Sequence, residues 1–112
     1  MSVHRIASNP LKYFGVEYSI KHNSVHRSTL DNVIENNLKN LRKGRSSDFI
    51  LVGLLPSREA ADWYREQFNI TIAPQAQEAR TSDEWQRITS LMQGLLQNAL
   101  DRESARTENS SC

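Results

Sequence analysis

Seven consecutive residues without a polar side chain, Phe49-Ile50-Leu51-Val52-Gly53-Leu54-Leu55, constrain this chain more than any other feature. Asp48 precedes the run, and Pro56-Ser57 closes it. It is too short for a membrane span, which needs roughly 20 apolar residues. It does not alternate, so it reads as a strand covered on both faces, the central strand of a sheet. Pro56-Ser57-Arg58-Glu59-Ala60 then starts a helix with Ser57 as its cap. Ala60, Ala61, Tyr64 and Phe68 form the buried side of that helix, Trp63 borders it, and Asn69 breaks it.

The flanking segments repeat the pattern. Phe14, Val16, Tyr18 and Ile20 alternate with smaller or polar residues, as in a half-buried strand. The stretch containing His22, Asn23, Ser24 and His26 reads as a loop. Ser28-Thr29-Leu30-Asp31 opens a helix whose stripe is Leu30, Val33, Ile34, Leu38 and Leu41, ending at Gly44. Ile70-Thr71-Ile72-Ala73, closed by Pro74, reads as a short third strand. Ser82-Asp83-Glu84 begins a last helix, with Trp85, Ile88, Leu91, Met92, Leu95, Leu96, Ala99 and Leu100 on one face.

The expected fold is therefore α/β. It is a small three-stranded, mostly parallel sheet with three helices in the order βαβαβα. An α+β arrangement with the first strand antiparallel at an edge is the alternative. A length of 112 residues suits a single domain, placed at residues 1–103, with a flexible polar tail at 104–112.

The net charge of +1 hides an asymmetry. Residues 1–47 carry eight basic and three acidic side chains, and residues 48–112 carry six basic and ten acidic ones. Lys39, Arg42, Lys43 and Arg45 lie close together, and Arg27 could widen the patch, which makes these the candidate nucleic-acid contacts. The competing reading is that Arg42 and Lys43 only complement a helix C-terminus.

Other chemistries lack their residues. Cys112 is the sole cysteine, so neither an internal disulfide nor a multi-cysteine metal site can form. His22 and His26, even with His4, make a poor metal set. No serine sits in a Gly-x-Ser-x-Gly elbow, and no glycine-rich phosphate loop is present. No cofactor and no catalytic set are expected. Ser57 and Arg58, at a helix start beyond a strand end, form a weak candidate anion site. Trp63 and Tyr13 are candidate anchors for a protein partner, and Leu96 and Leu100 offer a self-association surface on the last helix.

No apolar leader is visible at Met1-Ser2-Val3-His4-Arg5-Ile6, and a cytoplasmic, membrane-free protein is the expectation. The leading functional expectation is a small non-enzymatic interaction or regulatory protein acting through protein contacts. A nucleic-acid-binding protein using the basic first half is the alternative. A small enzyme with an anion site in the turn at 53–59 is the third.

Overall fold

The computed structural model describes residues 13–44 and 48–110. Strand β1 (Phe14–Ser19) and strand β2 (Ser24–Thr29) are followed by helix α1 (Leu30–Arg42) and strand β3 (Phe49–Leu55). Helix α2 (Arg58–Gln67) continues through a π-helical turn (Phe68–Ile72) into helix α3 (Ala73–Glu78), and helix α4 spans Ser82–Ser110. The last helix thus runs on through residues 104–110, which sequence reading assigned to a polar tail.

The sheet corrects the parallel expectation. Its order is β2-β1-β3, and both pairings are antiparallel, so the fold is α+β. The first cause is a hairpin where a loop was expected. Ile20 to Asn23 form a short turn, closed by Asn23 N–H donating to Ile20 O at 3.3 Å. Asn23 takes φ of 50°, a left-handed conformation that asparagine adopts more readily than most residues. Its side chain accepts from the Tyr18 hydroxyl at 3.0 Å and donates to Ala73 O at 2.9 Å, which ties the hairpin to the helical layer.

The second cause is that Ile70 to Ala73 is helical. Ala61, Tyr64, Phe68, Ile72 and Ala76 are buried at spacings of three and four, so one apolar stripe runs through Asn69 without a break. Pro74 has no amide hydrogen with which to bond Ile70. The backbone widens there, and Ala73 N–H bonds back to Phe68 O. Thr71 Oγ1 donates to Gln67 O at 2.7 Å within the same turn. The β-branched pair Ile70 and Ile72 therefore does not form a strand, because a helix buries Ile72 with the stripe and leaves Ile70 in solvent.

The third correction concerns the apolar run. Phe49–Leu55 is an edge strand, and β1 occupies the centre. Residues 15–19 of β1 are all buried, whereas of the seven residues of β3 only Leu55 is. A bulge opposite Val16/Glu17 leaves Val52 without a Cα partner, between Gly53 paired to Val16 and Leu51 paired to Glu17.

The main core lies on one sheet face. Val16, Tyr18, Val25 and Leu55 meet Ala61, Tyr64, Phe68, Ile72, Ile88 and Met92 there. Tyr18 and Phe68 pack as tilted rings with centroids 5.4 Å apart. Helix α4 enters with a reciprocal cap. Thr81 Oγ1 accepts from Glu84 N–H at 3.2 Å, and Glu84 Oε1 accepts from Thr81 N–H and Arg80 N–H, both at 2.9 Å. These bonds hold the Glu84 carboxyl below its ordinary range.

Candidate interaction surface

The opposite sheet face carries Gly15, Glu17 and Ser19 of β1 with their cross-strand partners. Helix α1 crosses this face at Gly15. A Cβ on Gly15 would come within 3.0 Å of Val33 Cγ2 and 3.1 Å of Leu51 Cδ1, so the helix sits this close only over glycine. Val33 is the one buried residue of α1. Leu30 is half-buried, and the other three residues of the expected stripe are exposed. Ile34 is 46%, Leu38 45% and Leu41 75% exposed. Leu51 and Leu54, partners of Glu17 and Gly15, lie on the same side of the sheet and are also exposed. Exposed apolar side chains thus lie on one flank of the helix and on the edge strand.

A polar pair lies on the same sheet face. Glu17 is buried, and its Oε1 lies 2.8 Å from His26 Nε2. The His26 ring packs 4.0 Å from the Phe49 ring across the sheet. The pair fastens β2 to β1 at a position that sequence reading treated as loop. Sequence offers little signal for it, since Val25 is the sole apolar residue of Ser24–Thr29, buried between half-buried neighbours. Among the described residues, no three His, Cys, Asp or Glu side chains come together as a metal set would. His4 and Cys112 lie outside the described residues.

The basic candidates are divided by the fold. Lys39, Arg42 and Lys43 are exposed at the C-terminal end of α1, and Arg45 lies outside the described residues. Arg27 is on the other sheet face, as the partner of Val16. Its Nε donates to Asp62 Oδ1 at 2.6 Å, and its guanidinium lies 6.0 Å from the Phe14 ring centroid. Arg27 is therefore separated from the α1 cluster by the sheet.

At the candidate anion site the chain supplies its own anion. Ser57 Oγ accepts from Ala60 N–H at 3.1 Å, the expected cap. Glu103 of α4 also hydrogen-bonds Ser57, and Arg106 donates to its two carboxylate oxygens at 2.7 and 2.9 Å. These contacts, Arg106 first, lower the Glu103 pKa. Arg58 is exposed nearby.

The remaining candidate anchors serve the domain to different degrees. Trp63 is half-buried against the core, with the Arg102 guanidinium 4.5 Å from its ring centroid. Leu96 and Leu100 are partly buried and pack against the same core. Tyr13 has an exposed ring, and its backbone oxygen accepts from Leu30 N–H at 3.2 Å. A groove of about 230 Å³ lies between Ile20 of the hairpin turn, Ile50 and Val52 of β3, and Trp85, Thr89 and Met92 of α4. No helix among the described residues is long and apolar enough to cross a membrane. Comparison with protein-family models, with curated proteins and with solved structures gives no match.

Proposed function

We propose that this chain is a small non-enzymatic protein-binding module whose working surface is the outer flank of α1 together with the exposed side of β3. The observation that carries this reading is the stripe Ile34, Leu38 and Leu41, left open on a helix that buries only Val33. Exposed apolar side chains grouped on one flank of a helix support an interaction site. Completing the burial of three such side chains contributes on the order of 3 kcal/mol to an association, given roughly 1.5–3 kcal/mol for each full burial and partial cover at the start.

The charge pattern favours a protein partner over a polyanion. Lys39, Arg42 and the capping Lys43 stand at the end of the helix that carries Asp31 and Glu35, and Arg27 is paired with Asp62 on the far side of the sheet. A phosphate backbone would meet both signs on this helix.

The test is the double variant Leu38→Glu/Leu41→Glu. It retains the wild-type melting temperature, because neither side chain supports the core, and the immobilised variant no longer retains the protein bound by the wild-type chain. Undiminished retention, or a melting temperature lowered as by a core substitution, overturns the reading.

A further inference from the structure

We infer that the outer edge of β3 takes up an extended peptide segment of a partner protein as an added strand, with alternate side chains of that strand entering the groove between β3 and α4. This site lies on the side of β3 that faces α4, away from the α1 flank, and does not depend on that flank. The backbone specifies the occupant. β3 pairs with β1 on one side, and among the described residues no strand pairs with it on the other. Such an edge presents a row of backbone N–H and C=O groups at strand spacing, and the partner that satisfies them is another extended main chain. Natural edges are commonly guarded by charged side chains or proline. β2, the other edge, carries His26 and Arg27. Phe49–Leu55 carries neither a charge nor a proline, and has the bulge at Val52 alone.

The groove supplies the side-chain sites. Ile50 pairs with Tyr18 of the core face, yet Ile50 and Ile20 are both more than half exposed. With Val52 they form one wall, and Trp85, Thr89 and Met92 of α4 form the other. At about 230 Å³ the groove falls short of the roughly 300–1,000 Å³ that encloses a small-molecule ligand. It suits a few apolar side chains delivered by a neighbouring strand, every second one of which points to this face.

The course of α4 decides between a peptide and a second copy of the chain. The helix follows β3: Trp85 and Met92 stand by Ile50, Leu96 over Gly53, and Leu100 by Pro56 and Ser57. Antiparallel pairing of β3 with its counterpart in another copy puts both α4 helices on the same face, over strands about 4.8 Å apart. Packed helices need axes about 8–10 Å apart. A second domain paired in this way collides at α4, whereas a single extended segment brings no helix into that space.

The experiment is selection of short random peptides displayed on phage against the immobilised full chain, with affinities of the selected peptides then measured in solution by fluorescence anisotropy. Selected peptides carry apolar residues at alternate positions. Methylating one set of alternate backbone nitrogens weakens binding at least tenfold, and methylating the other set changes it far less. Ile50→Lys, which places a charge on the edge, and Thr89→Arg, which narrows the groove from α4, each weaken binding at least tenfold. Circular dichroism shows wild-type helix content in both. Leu38→Glu/Leu41→Glu binds peptide as the wild type does. Failure to select a peptide, selected peptides without the alternate pattern, or equal loss from methylating either set overturns the added strand. So does undiminished binding to either Ile50→Lys or Thr89→Arg. Loss of peptide binding in Leu38→Glu/Leu41→Glu moves the site to the α1 flank, which overturns this inference and leaves the reading above standing. If that variant keeps both peptide binding and retention of the partner protein, the α1 reading fails and the added strand stands.

Discussion

Gly53 of β3 lies directly beneath Leu96 of α4. A Cβ on Gly53 would approach Leu96 Cδ2 to 2.4 Å and Cγ to 3.2 Å. The longest helix therefore meets the edge strand at the residue that lacks a side chain, next to the bulge at Val52. Gly53→Ala should destabilise the domain by about 1–2 kcal/mol, the usual range for adding a methyl group to a packed site. Leu96→Ala in the same chain should recover part of that loss, because it vacates the space the new Cβ needs. Urea unfolding of the two single variants and the double variant measures the coupling. Strict additivity would show that the contact has no energetic weight.

Asn23 combines a left-handed backbone with two side-chain hydrogen bonds, to the Tyr18 hydroxyl and to Ala73 O. Asn23→Ala loses both bonds and strains the turn, so a cost of about 2–3 kcal/mol is expected. Asn23→Gly loses the same bonds but accepts the backbone conformation, and should cost about 1 kcal/mol less. Equal costs in chemical denaturation would show that backbone conformation plays no part.

Tyr64 is fully buried, and its hydroxyl donates to Met92 O at 2.9 Å, joining α2 to α4. Tyr64→Phe should cost about 1 kcal/mol. Burial pushes the Tyr64 phenol far above its ordinary value and raises that of Tyr18 as well. In the unfolded chain both release their protons near the ordinary value of 10.0, while the folded chain still holds them. The unfolded state then binds fewer protons, so stability is complete below about pH 10 and falls as pH rises toward the folded values. Denaturation midpoints measured from pH 8 to pH 11 should decline more steeply in the wild-type chain than in Tyr64→Phe.

His26 is the side-chain partner that the structure shows for the buried Glu17 carboxylate. His26→Ala should cost about 1–3 kcal/mol at neutral pH, mostly by leaving Glu17 without that hydrogen bond. Glu17→Ala/His26→Ala should be more stable than the sum of its single variants predicts. A double-mutant cycle with no coupling would show that the pair is not an energetic unit.

The helical parts of the fold were largely legible. Leu30 to Leu41, Ala60 to Phe68 and Trp85 to Leu100 carry apolar residues at intervals of three and four, and helices occupy all three segments. The Ser57 cap was equally plain, because a hydroxyl before Arg58-Glu59-Ala60 can satisfy a free amide locally. Sequence and structure part where local preference and tertiary packing disagree. Ile70-Thr71-Ile72 is β-branched, yet the spacing from Phe68 to Ile72 to Ala76 was the stronger signal. Ser24–Thr29 has little apolar content, and its pairing depends on the Asn23 turn and on Glu17 nine residues before His26. At the candidate surfaces, the charge of Lys39, Arg42 and Lys43 was visible in sequence. The Arg27–Asp62 pair, the Glu103 carboxylate at Ser57 and the cover of Leu96 over Gly53 join residues more than thirty positions apart.

Sequence alone determined which segments have an apolar side, where helices begin, and how charge is ordered along α1. These properties depend on neighbours within a turn or two. Tertiary structure decided which sides are covered. Periodicity records that Ile34, Leu38 and Leu41 share a flank, and the apolar run records that Phe49–Leu55 is a strand. Neither states how much surface the rest of the chain has available to cover them. With β1 at the centre and the main helices on one face, β3 falls at the edge and α1 touches the sheet through Val33. The flank that reads as core in sequence is left exposed at Ile34, Leu38 and Leu41, because among the described residues the other helices pack on the opposite face of the sheet.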